Sequence, residues 1–452
     1  MKFLILTVLA FHLSLAQVGI TQKNSNQNIL TANRLRFYSP NAQEALLKYQ
    51  FTVEVTKAIQ PTESEFKTAI EKQITFLFGA FSNQYRQAVP KADQQFQILK
   101  AYKVSNNTWR ADYLYNGYIL ISQGPNTYSF YLPVNPFQVW QKSLAPGKTN
   151  PYPCTDSHYA VEKYFWYFFN PKSYGCELVE NKDYAQVQGQ VQFIINTKAT
   201  YPEYERLFVN GELNFHILFG MDNSSLDWNP QSSTDLSAQS YRQLKKALVQ
   251  WGYTSRVWSA QEVKNFFGNL GYFGQKPYVE ELSKQTNNGT VKYRIFFGAS
   301  TIYEGLAFQK FLSYSLQDSS IMLYAGHSGL GEYLNLDLMI NNSNINNSPL
   351  KMTANQSRYQ IYFFNSCSSY PYYNSQYFSL KKTAQDPKGT KNLDIITNGL
   401  STLFIAIAPS SYALMQAVEI YATQNKKTSY QEIISKANSD NLIGINGDED
   451  NN

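Results

Sequence analysis

Two stretches, IMLYAGHSG (Ile321–Gly329) and YQIYFFNSCSS (Tyr359–Ser369), decide how this chain is read. In each, an apolar run stops at a turn of small polar residues. Each turn carries one chemically versatile side chain, His327 in the first and Cys367 in the second. A short continuous apolar run bounded by turn residues predicts a strand buried on both faces, as in a parallel sheet covered by helices. The C-terminal ends of such strands form the edge where α/β proteins bind ligands, so His327 and Cys367 are expected at one edge.

Working outward, apolar strands recur at Leu213–Phe219, Tyr253–Trp258, Val291–Phe297 and Leu393–Thr397. Helical patterns lie between several of them. Tyr241, Leu244, Leu248 and Trp251 form one helical face stopped by Gly252, and a second helix is expected over Ile302–Leu316. Thr428 with Gln431, and Ser429 with Glu432, are spaced to cap a last helix running to about Lys436. Strand alternating with helix predicts a mainly parallel α/β domain over 211–440.

Residues 45–200 read differently. Leu47, Tyr49, Phe51, Val53 and Val55 alternate with polar residues, which is a half-buried strand. Thr62 and Glu65 form a capping box before a helical face of Phe66, Ile70, Ile74, Leu77 and Phe81. Strands follow at 96–104, 109–122, 128–134 and 185–196, the first two joined at Ser105-Asn-Asn107. One helix against several strands predicts an α+β domain, with an irregular aromatic stretch at 135–184. Residues 17–44 read as a flexible polar arm and 441–452 as an acidic tail. The boundary between the two domains is expected near 198–211, and no internal repeat is evident.

The N-terminus, MKFLILTVLAFHLSLAQ, has one positive charge and an apolar run, with Ser14 and Ala16 placed for cleavage before Gln17. Residues 1–16 therefore read as a signal peptide, too short to span a bilayer. Leu400–Tyr421 is interrupted by Pro409 and Glu419 and reads as buried core, so no membrane span is expected. The expected location is secreted or extracellular, or the lumen of an endomembrane compartment. Asn-x-Ser/Thr sequons at Asn106, Asn223, Asn288, Asn341, Asn346 and Asn355 are candidate glycosylation sites in such a compartment. The 43% hydrophobic and 15% aromatic content is ample for a core and excludes bulk disorder. The net charge of +6 (+5 without Lys2) is scattered, so no nucleic-acid footprint is seen.

Chemistry-bearing residues are scarce beyond the signal peptide. The histidines there are His158, His216 and His327, and the cysteines Cys154, Cys176 and Cys367. Cys154 and Cys176 are expected to form a disulfide. The rival is a metal site with His158 as third ligand and no evident fourth. His216 shares a strand with Phe215 and Ile217 and reads as a structural histidine. Glu332, Asp337 and Asp394 are near the pair in sequence and read as surface carboxylates, or as the wall of a basic-residue pocket. No phosphate loop, His-Glu-x-x-His or Gly-x-Ser-x-Gly motif is present. A thiol becomes a good nucleophile when a histidine takes its proton, which Cys367 and His327 are placed to do.

The order strand–His–strand–Cys resembles the clan CD cysteine peptidases: caspases, gingipains, legumains and their relatives. The closer likeness is to secreted, caspase-like bacterial proteins with a Gly-His-Ser-Gly turn and an Asn-(Ser/Gly/Ala)-Cys-Ser-Ser-Tyr turn. It extends through Asn392–Thr402 and through Phe165-Trp-Tyr-Phe-Phe-Asn-Pro171 with Gly175-Cys176. The resemblance implies a caspase-like fold and a cysteine-type peptidase, a hydrolase needing no cofactor and acting on a peptide or protein. Cys367 would be the nucleophile and His327 the general base and acid. Backbone N–H groups of Ser328, Gly329 and Cys367 would form the oxyanion hole. Ser328 stands where many members have Gly, and the caspase pentapeptide is absent, so an Asp preference does not carry over. The alternatives are an inactive caspase-like binding or adhesion protein, and a thiol transpeptidase or amidase.

Overall fold

The computed structural model describes residues 37–84, 88, 95–122, 124–194, 200–271, 274–345, 350–437 and 441–448. Residues 1–16, which the sequence reads as a signal peptide, most of the expected polar arm and the sequon at Asn346 lie outside them. The described residues fall in one compact unit, Leu35–Asn452, of mixed α/β architecture with two sheets.

The first sheet holds β1 (Gln43–Thr56), β2 (Gln95–Ser105), β3 (Thr108–Ile121), β4 (Thr127–Pro133) and β5 (Tyr184–Ile194), in the order β2-β3-β1-β5-β4 and all antiparallel. Its inner residues pack on α1 (Glu63–Thr75) and α2 (Leu77–Gln84). The Thr62–Glu65 capping box forms, and Phe66, Ile70 and Ile74 are buried. Between β4 and β5 runs an irregular stretch with only the short α3 (Val139–Ser143) and two 3₁₀ turns.

The second sheet holds β6 (Glu212–Gly220), β7 (Thr254–Val257), β8 (Tyr278–Thr286), β9 (Gly289–Gly298), β10 (Ile321–Ala325), β11 (Gln360–Asn365), β12 (Leu393–Asn398) and β13 (Ile443–Asn446). Their order is β13-β12-β11-β10-β6-β9-β8-β7. The four inner pairings, β12-β11, β11-β10, β10-β6 and β6-β9, are parallel, and the pairings at the two margins are antiparallel. The helices are α4 (Tyr204–Leu207), α5 (Leu236–Gln250), α6 (Ala260–Phe267), α7 (Leu306–Asp318), α8 (Leu336–Ile345), α9 (Ser369–Ser379), α10 (Phe404–Gln424) and α11 (Tyr430–Ala437). Residues of α5, α10 and α11 pack with Ile321, Leu323 and Ala325, while α6 to α9 pack with Met322 and Tyr324. Successive strand side chains point to opposite faces, so β10 needs an apolar residue at every position, as its continuous run supplies.

Two boundaries differ from the sequence reading. The polar arm was expected to reach residue 44, yet Phe37 and Ala42 are buried, Tyr38 bridges Ile445 and β1 begins at Gln43. The acidic tail was expected from residue 441, yet β13 lies there, fully buried and antiparallel to β12. Four residues give too short an apolar pattern to stand out. Asp448 is itself buried and accepts a hydrogen bond from Thr200. Among the described residues no helix is long and apolar enough to cross a membrane.

Candidate active site

Phe219 of β6, Ala325 of β10 and Asn365 of β11 stand level across three adjacent parallel strands. Just beyond them the chain carries Asp222, His327 and Cys367. His327 Nε2 lies 2.7 Å from Asp222 Oδ1, with side chains 40% and 33% exposed. The Phe404 ring meets the imidazole edge-on at 4.9 Å. Cys367 Sγ accepts from the Thr402 N–H at 3.4 Å and lies 3.6 Å from the Thr402 carbonyl. The segment after β12 therefore supports both side chains. Among the described residues no hydrogen bond joins His327 to Cys367; the imidazole is engaged by Asp222 instead.

Local interactions explain how each turn is held. Asp235 caps α5 by accepting from the Ser237 N–H and also accepts from the Asn223 N–H at 2.9 Å, which fixes the turn bearing Asp222. Three buried tyrosines hold the segment after His327. Tyr324 donates to the His327 carbonyl at 2.6 Å, Tyr373 to that of Ser328 at 3.1 Å and Tyr377 to that of Leu334 at 3.0 Å. Gly329, Leu330 and Gly331 all have positive φ. Leu330, at φ 53°, stores about 1–2 kcal/mol of backbone strain. The Cys367 turn repeats the device: Ser368, at the cap position before α9, has φ 48°. Before it, the buried Asn365 amide donates to Ile407 O, Ser410 Oγ and Ser411 Oγ and accepts from Asn398.

Burial pushes the Cys367 thiol up, opposed by hydrogen bonds from the Thr402 and Cys367 amides and the Ser401 hydroxyl. The thiol is thus protonated at neutral pH in this arrangement. A thiol in that state becomes a nucleophile only where a base takes its proton.

The disulfide-bridged segment also reaches the site. Cys154 and Cys176 are bonded, which removes both sulfurs from the metal alternative with His158. Among the described residues no cluster of three His, Cys, Asp or Glu is placed to hold a metal. Phe165 and Phe169 pack into the core of the first sheet, whereas Tyr167 packs with the second. The Tyr167 hydroxyl lies 3.0 Å from Ser368 Oγ. This segment shares a cavity of about 450 Å³ with the 3₁₀ turn that follows His327 and with the first turn of α9, through Lys163, Trp166, Leu330, Glu332, Pro371 and Tyr372; neither His327 nor Cys367 lines it.

The other expected residues separate. Glu332 pairs with Lys163 at 2.6 Å at that cavity, and Asp337 is exposed in the first turn of α8. Asp394 is not a surface carboxylate. It is buried on β12, where it accepts from the Tyr359 and Tyr430 hydroxyls. Its place near the start of a central strand excludes water, and the phenols replace it. His216 is buried, with Nδ1 2.9 Å from Ser315 Oγ and Nε2 3.4 Å from Asp318. Sequence reading missed Asp222, Thr402, Ser401 and Tyr167. Asp222 had a signal: Leu213–Phe219 also runs into a small polar turn, Gly220-Met-Asp-Asn-Ser-Ser225.

Comparison of the chain with protein-family models, curated proteins and solved structures finds no match.

Proposed function

We propose that the chain is a secreted cysteine hydrolase, an endopeptidase with a caspase-like α/β domain that works through Cys367 and His327. One observation carries the reading: Asp222, His327 and Cys367 project from three consecutive parallel strand ends, with Asp222 2.7 Å from the imidazole. With Nε2 facing Asp222, Nδ1 is the nitrogen left to take the Sγ proton. The thiolate then attacks the scissile carbonyl, and the oxyanion develops against backbone N–H groups of Ser328, Gly329 and Cys367. Collapse expels the amine, which takes the proton back from His327. Water, deprotonated by the same imidazole, releases the acid from the thioester. The cavity beside Leu330 and Pro371 is the room assigned to a substrate side chain. Secretion is supported by the pattern of residues 1–16 and by the disulfide, which persists in oxidising compartments.

A second reading, a binding protein on the same scaffold, is favoured by the half-buried, protonated thiol and its lack of a bond to His327. Iodoacetamide decides between them. The hydrolase requires fast labelling of Cys367 in native protein, slowed by His327→Ala, and cleavage of a peptide library that Cys367→Ala abolishes. Labelling no faster than that of an unfolded cysteine peptide, unaffected by His327→Ala, establishes the binding protein. Transfer of the acyl group to an added amine in preference to water marks a transpeptidase.

A further inference from the structure

We infer that Leu403 and Ile405 form the seat for a large apolar side chain beside the bond being cut, so that the site takes peptides carrying such a residue. The inference rests on the thiol-hydrolase reading and names its substrate class. Among the described residues four large apolar side chains are more than 70% exposed: Tyr174, Tyr303, Leu403 and Ile405. Tyr303 follows β9, and Leu403 and Ile405 follow β12. Both strands run parallel to β10 and β11, so these three lie at the edge that carries His327 and Cys367. A single exposed apolar residue is ordinary, but several gathered in one place mark a surface that something covers.

Thr402 to Ile405 alternate between holding the site and facing solvent. The Thr402 N–H donates to Cys367 Sγ at 3.4 Å, and the Phe404 ring meets the His327 imidazole at 4.9 Å. Leu403 lies between these two in sequence and Ile405 directly after them, so both stand at the rim of the thiol and imidazole. Their backbone is anchored. Leu403 is the cap of α10, Ser240 Oγ donates to the Phe404 carbonyl at 3.4 Å, and Ile407 and Ala408 are buried in the core. The two side chains are thus held outward on a fixed support. Tyr303 stands across from them. α10 packs on one face of the sheet and α7 on the other, and Tyr303 lies in the connection entering α7. That connection is tied to the Asp222 turn, where the Ser224 hydroxyl donates to Glu304 at 2.7 Å. Leu403 and Ile405 offer no charge or side-chain hydrogen bond, and covering them is favourable in proportion to the apolar area that leaves water. The reacting side chains lie between this pair and Tyr303, so an occupant that covers all three passes over Cys367. A substrate does that by necessity, which favours it over a second copy of the chain.

The experiment compares the rates at which N-phenylmaleimide and N-ethylmaleimide label Cys367, the free cysteine of the described residues, in the full chain. The two reagents share a reacting group and differ in the apolar ring, so the ratio of their rates cancels the reactivity of the thiol itself. The wild-type ratio is expected to exceed that of an unfolded cysteine peptide about five- to tenfold. Leu403→Ser combined with Ile405→Ser should bring it down to the peptide's ratio; both side chains are exposed, so the variant folds. Ile59→Ser, at a 68% exposed residue in the connection between β1 and α1, should keep the wild-type ratio. A peptide library should be cut beside Leu, Ile, Phe or Met by the wild type and lose that preference in the double variant. A wild-type ratio equal to the peptide's, or one that the double substitution leaves in place, overturns the inference, while slow labelling in His327→Ala leaves the hydrolase reading standing. Labelling that His327→Ala leaves unchanged overturns both. A concentration-dependent dimer that the double substitution splits assigns the patch to a second copy and overturns the inference alone.

Discussion

His216 and His327 sit on neighbouring strands of one sheet, and each sets a ring nitrogen against an aspartate. For His216 the aspartate is Asp318, at 3.4 Å; for His327 it is Asp222, at 2.7 Å. The surroundings divide them. His216 lies in the middle of β6, has no exposed surface, and lies against Ser315, Phe311 and Tyr314. Burial holds its pKa down at about 4, with Arg294 and Arg358 adding to the effect and Asp318 opposing it. It is a neutral packing residue. His327 stands past the end of β10, 40% exposed, with the Phe404 ring across it. The same pair of residue types makes a core contact in one place and leaves a half-exposed imidazole at a strand end in the other. What separates them is whether the strand has ended.

The largest expected effect breaks the comparison most directly. His327→Ala should lower the labelling of Cys367, and any hydrolysis, by about 100-fold or more, the usual contribution of a positioned general base. It should barely move the melting temperature, because the side chain is half exposed. His216→Ala should do the reverse. Deleting a buried ring with two polar partners costs about 2–4 kcal/mol, read as a lower melting temperature, with an unchanged labelling rate for the protein that remains folded. If His216→Ala slows labelling as much as His327→Ala, the division between packing and chemical histidine is wrong.

Acid sharpens it. His216 is neutral in the fold but binds a proton in the unfolded chain below its ordinary value of 6.5. Its depressed value means the unfolded state takes up the proton first. The associated stability is whole above pH 6.5, falls as pH drops from 6.5 to about 4, and changes no further below that. The interval amounts to about 3 kcal/mol. Urea melts across this range should show that slope in the wild type and lose it in His216→Gln. A slope that survives the substitution assigns the acid sensitivity elsewhere. Asp318, kept low by His216, Tyr314 and Arg294 against the effect of burial, adds its own loss at more acid pH.

The strands that carry His327 and Cys367 were legible because both their faces are buried, which demands unbroken apolar runs. The capping boxes at Thr62–Glu65 and Ser259–Glu262 are local in the same way, although only the first was read. β8 escaped notice because its outward residues are charged. Glu281, for example, pairs with Arg294 and Arg256 across the ladder. α9 escaped for the opposite reason. SYPYYNSQYFS has poor helix propensity, and it is helical because Tyr372, Tyr373, Tyr377 and Phe378 bury against the sheet. The site was half legible. His327 and Cys367 each announce themselves within nine to eleven residues. Asp222 becomes their neighbour only through the pairing of β6 with β10, and Tyr167 meets Ser368 across 201 positions of chain. Such contacts are set by topology, which local pattern does not contain.

The smallest effect concerns the carboxylates. Asp318 also binds Arg294 at 2.9 Å and the Tyr314 hydroxyl at the same distance. Asp318→Asn should therefore cost about 1–2 kcal/mol, a figure reduced by its one-third exposure, and should leave labelling alone. Asp222→Asn removes a charge with no such network behind it. Water reaches both Asp222 and His327 and replaces part of what is lost, so no measurable change in melting temperature is expected. What changes is orientation. The carboxylate accepts from Nε2–H and so selects the tautomer with a free Nδ1, whereas an amide can present its NH₂ and select the other. Labelling of Cys367 should slow about fivefold, with Asp222→Glu recovering part of the rate. Should Asp222→Asn label at the wild-type rate while His327→Ala remains slow, the imidazole needs no orienting partner. Asp222 would then be a surface carboxylate, and the likeness between the two histidine–aspartate pairs would be one of distance alone.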